Sequence, residues 1–286
     1  MSHDVSFESN TMTELFDLGM ISAPLSIRVD LGDRCVDAVM SESGIVQIDE
    51  ENYADIHQAM LAIRHDGAST SDAWQFWSWF SSERQTWTPL EHLRAKLHAQ
   101  SSQEDIRTSD THPLRIDYVS VPNATGKIGL TFCPGKRCEG LYGGTWERDL
   151  DKDLAVIEIQ GGKVLITLME QHEFAILGVP EFPRAIEGST IEWLHLPILD
   201  MNVPDDKFEH QWSMVSPRLH AQLAEGDTIV IHCRGGLGRT GLVAARMLVE
   251  AGLSPVDAVA TVRSAREHSI ETYAQEHYVL SKGWEQ

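Results

Sequence analysis

Apolar positions follow two regimes along the chain. From residue 114 onward, short apolar runs alternate with stretches of helical spacing. Arg115 to Val121, Lys127 to Phe132, Lys163 to Met169, Ile191 to Leu196 and Thr228 to His232 read as strands. Residues 147–159, 206–224, 240–251, 255–267 and 271–282 carry helical periodicity. Such alternation predicts an α/β domain with a mostly parallel central sheet flanked by helices. Ahead of it, Tyr53, Ile56, Met60 and Ile63 fall at helical spacing, with Gly67 where a helix would stop. Ser71-Asp72 can cap a second helix carrying Trp74, Phe76, Trp77, Trp79 and Phe80. Thr88-Pro89-Leu90-Glu91 has the form of a capping box with proline at the first helical position, and Leu90, Leu93 and Leu97 would line that helix's apolar face. The expectation is a smaller, mostly helical N-terminal module. Its tryptophan cluster reads as core or, alternatively, as a docking surface for a protein partner.

Between the two regimes, Gln100 to Pro113 is polar, with few side chains to bury. The organisation expected is therefore a module over residues 1–99, a linker over 100–113 and a domain over 114–286.

Charge and composition narrow the partners. The net charge of −20 over 286 residues repels nucleic acid and anionic membrane surfaces, so neither is expected as a partner. An anionic ligand would need a local site strong enough to overcome that field. The apolar runs are too short to span a bilayer, and Met1-Ser2-His3-Asp4 does not begin a secretory signal. Four cysteines, Cys35, Cys133, Cys138 and Cys233, are too few and too irregular for a disulfide framework. A reducing, cytoplasmic setting is expected, with free thiols. The 13 histidines show no spacing that would pair two on one helix face, so no metal site is expected.

One segment carries chemistry: Thr228-Ile-Val-Ile-His232-Cys233-Arg234-Gly235-Gly236-Leu237-Gly238-Arg239-Thr240-Gly241. An apolar strand ends at His232, a glycine-rich loop follows, and an apolar helix begins. In open α/β sheets, ligands bind at such strand ends. Glycines at 235, 236 and 238 let the backbone N–H groups of Arg234, Gly235, Gly236, Leu237 and Gly238 converge on one anion, and the helix points its positive end there. Arg239 offers a planar fork for two phosphate oxygens. Cys233, at the start of this electropositive cradle, is favoured as a thiolate and can attack phosphorus to form a phospho-cysteine. The Thr240 hydroxyl can hydrogen-bond that thiolate and ease its departure. His232 is expected to order the loop backbone. The competing explanation, a buried cysteine beside a glycine-rich turn, leaves the fixed offsets of His, Cys, Gly, Arg and Thr unexplained.

The leaving oxygen needs a proton from a carboxyl elsewhere. Asp200 follows an apolar strand and precedes Met201-Asn202-Val203-Pro204, so a loop beside a neighbouring strand end can bring it over the cradle. It can instead be a turn residue or cap. Asp205 and Asp206 compete locally, but their position suits the cap of the next helix. Cys133 and Cys138 flank Pro134 to Arg137 and read as inert thiols, or as partners for an oxidised Cys233.

His232-Cys233, five residues, then Arg239-Thr240 resembles the signature loop of the protein tyrosine and dual-specificity phosphatases, the kinase-associated phosphatase group in particular. The resemblance extends over residues 114–286: Phe132-Cys133-Pro134-Gly135 resembles the loop after that family's second strand, and Leu196 to Asp200 with Val203-Pro204-Asp205 its general-acid loop. Ile270, Thr272, Gln275 and Tyr278 resemble its C-terminal helix, with Gln275 in a supporting position and Glu271 where the family often has glutamine. The resemblance implies a tyrosine-phosphatase-like fold and hydrolysis of phosphotyrosine, phosphoserine or phosphothreonine on proteins, or of a small phosphomonoester, without cofactor. A phosphate-binding regulatory module with little turnover and a sulfurtransferase-like enzyme are the alternatives.

Overall fold

Side chains two apart, rather than three or four, build the first part of the chain. The computed structural model describes residues 12, 14–32, 34–63, 73–82, 86–99, 106–140 and 144–281. Two compact units part at Gln103 and Glu104. In the first, strands β1 (Leu25–Asp30), β2 (Cys35–Met40), β3 (Val46–Ile48), β4 (Glu51–Tyr53), β5 (Ser78–Ser81) and β6 (Thr86–Pro89) form an antiparallel sheet of order β4-β3-β2-β1-β5-β6. Ile27, Val29, Ala38, Met40, Val46 and Ile48 are buried, while Arg28, Asp37 and Gln47 alternate outward. Helices α1 (Ile56–Ile63), α2 (Ala73–Phe76) and α3 (Glu91–Ala99) complete the unit.

The expectation of a mostly helical module is thus corrected. The run from Trp74 to Phe80 divides between the four-residue α2 and strand β5, which pairs Trp79 with Ile27. Trp74 and Trp77 are fully buried, and Trp77 donates through Nε1 to the Ile56 carbonyl at 3.0 Å. These two tryptophans are core rather than docking surface. Thr88 and Pro89 lie in β6, and the helix starts only at Glu91, although Leu90, Leu93 and Leu97 are buried as its spacing predicts. Gly67 and Ser71-Asp72 lie outside the described residues.

The second unit is organised on a five-stranded sheet of β8 (Asp117–Ser120), β9 (Lys127–Phe132), β12 (Gly162–Thr167), β13 (Glu192–His195) and β14 (Thr228–Cys233), in order β13-β12-β14-β9-β8. All pairs are parallel except the edge pair of β8 with β9. Every residue of β14 is buried, as a central parallel strand covered on both faces requires. Around the sheet lie helices α4 (Leu150–Ile159), α5 (Gln171–Ile176), α6 (Phe182–Glu187), α7 (Asp206–Glu225), α8 (Gly238–Glu250), α9 (Pro255–Ala265) and α10 (Tyr273–Ser281). Asp205 caps α7 by accepting from the Phe208 N–H at 2.8 Å, and Gly226 ends that helix in the left-handed region with φ 102°.

The expected linker is shorter than its composition suggested. Strand β7 (Ile106–Thr108) pairs in parallel with β11 (Thr145–Glu147), which also pairs with β10 (Arg137–Glu139). Ser109 donates to Asp153 at 2.8 Å, and Arg148 donates to the His112 carbonyl at 2.6 Å. Arg148 and Asp153 form a fully enclosed ion pair at 2.7 Å. Polar composition reads as linker because the partners, some 40 positions away, leave no mark in it.

Candidate active site

Strand β14 ends at Cys233, and helix α8 begins at Gly238, so Arg234 to Leu237 must turn within four residues. Gly236 makes that turn at φ 72°, where a Cβ would lie 2.3 Å from the Thr131 carbonyl oxygen. Only glycine fits there. Its N–H points at the Cys233 sulfur, 3.3 Å away. Outside the loop, Arg266 donates through Nε to the Gly236 carbonyl at 2.6 Å and through Nη2 to the Gly235 carbonyl at 3.2 Å. Its third nitrogen is held by Asp117 at 2.7 Å. The guanidinium thus anchors two successive peptide groups from behind.

Arg239 is buried against the sheet's carboxyl edge. Its Nη1 and Nη2 donate to the two carboxylate oxygens of Glu173 at 2.6 and 2.8 Å, a bidentate pair. Nη1 also reaches the Ile198 carbonyl at 3.0 Å, and Nη2 lies 2.8 Å from Asp200 Oδ1. Burial works to lower the Arg239 pKa, but the charges of Asp200 and Glu173 outweigh it and hold the value well above the ordinary one. Glu173 is positioned by a capping box: its carboxylate also accepts the Glu170 N–H at 2.7 Å at the start of α5.

Asp200 lies on the loop after β13, where Met201 adopts φ 61° and donates its N–H to Asp200 Oδ1 at 3.1 Å. The loop brings the carboxylate to the guanidinium, and Asp205 stands apart as a helix cap. His232 is fully buried. Burial pushes its imidazole down to about 3, the bond to the Cys233 carbonyl opposing and the Arg239 charge assisting. The neutral ring keeps its proton on Nδ1, since the Cys233 carbonyl at 3.4 Å only accepts. Nε2 therefore accepts from the Thr167 hydroxyl at 2.6 Å, which in turn accepts from Trp193 Nε1 at 2.8 Å. This chain of bonds orders the loop's first residue, the place expected of His232.

Other expected residues fall differently. Thr240 is fully buried, but its hydroxyl has no hydrogen-bond partner, so the expected bond to Cys233 is not formed. The sulfur is met by the Gly236 N–H instead. Gln275 does not bond the loop. Its Oε1 accepts from the N–H groups of Glu271 and Thr272, and its Nε2 donates to the Asn202 carbonyl at 3.2 Å, tying the start of α10 to the Asp200 loop. The Gly238 N–H donates to Glu271 Oε2 at 2.8 Å. The Arg234 carbonyl accepts from the Cys133 N–H at 3.4 Å, and Leu237 passes its carbonyl to Gly241 at 2.8 Å. Cys133 is a free, buried thiol whose pKa burial pushes well up, which favours its protonated form.

Sequence reasoning missed Glu173, Arg266 and Asp117. Glu173 left one trace: Glu170 and Glu173 stand three apart after an apolar strand, the spacing of a reciprocal cap. Arg266 and Asp117 left none, because each acts across more than 30 residues or nearly so.

The end of β14, the Cys233 sulfur met by the Gly236 N–H and the buried Arg239 guanidinium come together here. A family model described as the DSP-PTPase phosphatase of polymorphic toxin systems matches residues 143–253. The chain is 27% identical over 184 residues to cyclin-dependent kinase inhibitor 3 of Rattus norvegicus, covering 63% of this chain and 83% of that protein. It is 36% identical over 74 residues to a probable protein tyrosine phosphatase type IVA of Dictyostelium discoideum, covering 26% of this chain and 45% of that protein. The crystal structure of kinase-associated phosphatase, with its catalytic-site cysteine changed to serine, superposes with a TM-score of 0.52 at 27% identity, covering 58% of this chain and 92% of that one. The chain is a cysteine-dependent phosphatase of the protein tyrosine and dual-specificity class. Within that class it is similar to kinase-associated phosphatase.

Proposed function

We propose that the phosphatase works in two steps through a phospho-cysteine on Cys233. The sulfur attacks phosphorus while the loop N–H groups and Arg239 take the equatorial oxygens. The P–O bond to the leaving group breaks, and Asp200, having left Arg239 and taken a proton from solvent, gives that oxygen the proton. Water then attacks the phosphorus, the S–P bond breaks, and Asp200 takes the water's proton as phosphate and thiolate are released. Asp200 rests on Arg239, and it turns to the leaving oxygen as the phosphoryl group takes the guanidinium. The observation that carries this reading is the buried Arg239, aimed by Glu173, beside a sulfur that already receives the Gly236 N–H.

The proposed substrate is a phosphorylated side chain on a protein, since the relatives are named as kinase-associated and protein tyrosine phosphatases. Peptides phosphorylated on tyrosine, serine or threonine discriminate within that class. For residues 1–99 we infer a protein-binding role outside the phosphate chemistry, because every side chain named at the cradle lies between Asp117 and Gln275. A reducing compartment such as the cytoplasm suits the free Cys233 thiol.

One experiment tests the mechanism. Cys233→Ser is expected to abolish turnover of an aryl phosphate while retaining phosphate binding, because serine's hydroxyl stays protonated in the cradle. Asp200→Asn should lose more rate on a phosphopeptide, whose leaving oxygen needs a proton, than on an activated nitrophenyl phosphate. Turnover by the serine variant, or equal losses from Asp200→Asn on both leaving groups, would contradict the assignment.

A further inference from the structure

The cradle is already occupied by the protein's own anions. Asp200 Oδ1 rests 2.8 Å from Arg239 Nη2, and Glu271 Oε2 accepts the Gly238 N–H at 2.8 Å. Asp200 has a use in the reaction. Glu271 has none so far. Its place is nonetheless built: a Cβ on Gly238 would fall 2.7 Å from Glu271 Oε2 and 2.9 Å from Gln275 Oε1, so the loop leaves room for this carboxylate by omitting a side chain. Gln275 fixes the backbone on which Glu271 stands by accepting its N–H at 3.0 Å, and joins it to the Asp200 loop through the Asn202 carbonyl.

The Gly238 N–H is buried, and a buried donor needs an acceptor. It is also the first N–H of α8, where the positive end of the helix faces the ligand. Glu271 supplies that acceptor. When a phosphoryl group enters, its oxygen and the carboxylate call on the same donor, and two negative charges lie within a few ångströms. A glutamine would offer the same acceptor without the charge.

We propose that Glu271 is a resident competitor for the phosphate cradle: it satisfies the Gly238 N–H, weakens binding of dianions by its charge, and so speeds release of the phosphate product. This rests on assigning the 233–240 loop as the phosphate site.

The test measures competition by inorganic phosphate, sulfate and perchlorate against aryl phosphate hydrolysis, together with direct calorimetric binding in the Cys233→Ser background. Glu271→Gln is expected to bind sulfate and phosphate roughly tenfold more tightly than wild type, and the monoanion perchlorate only about threefold more tightly, because repulsion scales with the ligand's charge. Glu271→Ala, with thermal melting to verify folding, should tighten dianion binding in the same sense. Unchanged or weaker dianion affinity in both variants would overturn the proposal. So would equal gains for mono- and dianion, which would mark a steric or structural effect. Build-up of phospho-cysteine in Glu271→Gln with unchanged phosphate affinity would assign the carboxylate to hydrolysis instead. A wild-type protein that hydrolyses aryl phosphate but gives no competition by phosphate that Arg239→Ala alters would remove the loop assignment along with the proposal.

Discussion

Arg239 and His232 are both buried, and the surroundings treat them in opposite ways. Arg239 keeps its charge because Glu173 takes both terminal nitrogens and Asp200 adds a second carboxylate. An unpaired cation there would be destabilising by several kcal/mol, so the clamp and its partner are one unit. His232 is kept neutral, with burial first and the Arg239 charge in support pushing its pKa down to about 3. That has a consequence for acid stability. An unfolded histidine takes a proton near its ordinary value of about 6.5, whereas the folded one resists until about 3. Between those values the unfolded chain binds the extra proton, so stability falls as pH falls. This group alone removes up to about 1.4 kcal/mol per pH unit across that window. His232→Asn keeps a side-chain N–H for the Cys233 carbonyl but cannot titrate. Its melting temperature is expected to vary less than the wild type's between pH 6.5 and pH 4, as followed by circular dichroism. Parallel curves for the two proteins would show that His232 protonates freely in the folded state.

At the scale of elements, the strand, loop and helix that carry the chemistry are braced by one residue of α9's C-terminal end. Arg266 holds the Gly235 and Gly236 carbonyls and is itself held by Asp117 of β8, so the end of α9 and β8 together fix the loop. Arg266→Met keeps much of the side-chain volume and removes the donors. It should lower kcat by about tenfold or more through a loop no longer held in register, with a smaller change in KM. It should also lower stability by roughly 2 kcal/mol, since two carbonyls lose their donor and Asp117 keeps only Arg115. Steady-state kinetics and urea titration check both, and wild-type values in each would show the loop to be self-supporting. The same bonds explain how much was legible beforehand. Lys127–Phe132 and the β14–loop–α8 segment could be read because their signal is local: consecutive apolar residues, then glycines and arginine at fixed offsets. The N-terminal sheet could not, because its strands are three to six residues long and the alternation breaks down where Phe80 faces outward and Ser81 inward. Glu173 and Arg266 owe their roles to partners 66 and 30 positions away, contacts that only the folded topology creates.

At the scale of the whole molecule, the division at Gln103 and Glu104 predicts where a catalytic fragment can begin. The large apolar core that runs from Leu114 to Val279 contains no residue of the first unit. The polar segment before Leu114 is nevertheless part of the second. Strand β7 completes a three-stranded sheet, Ser109 bonds Asp153, and the His112 carbonyl accepts from Arg148. Asp153 in turn accepts the Gly135 N–H at 2.9 Å, which anchors the loop after β9 next to the strand that carries Cys233. A fragment starting at 104 keeps all of this, whereas one starting at 114 strips two partners from an ion pair with no solvent access. Removing hydrogen-bond partners from buried charges costs about 1.5–3 kcal/mol for each bond. Residues 104–286 are therefore expected to be soluble and to hydrolyse aryl phosphate with a kcat within about twofold of the full chain, while residues 114–286 melt at least several degrees lower. Expression of both fragments, thermal melts and initial rates decide the matter. Equal stability of the two would mean that β7 and its neighbours are dispensable, and an insoluble or inactive 104–286 fragment would mean that the catalytic unit needs residues 1–103 to fold.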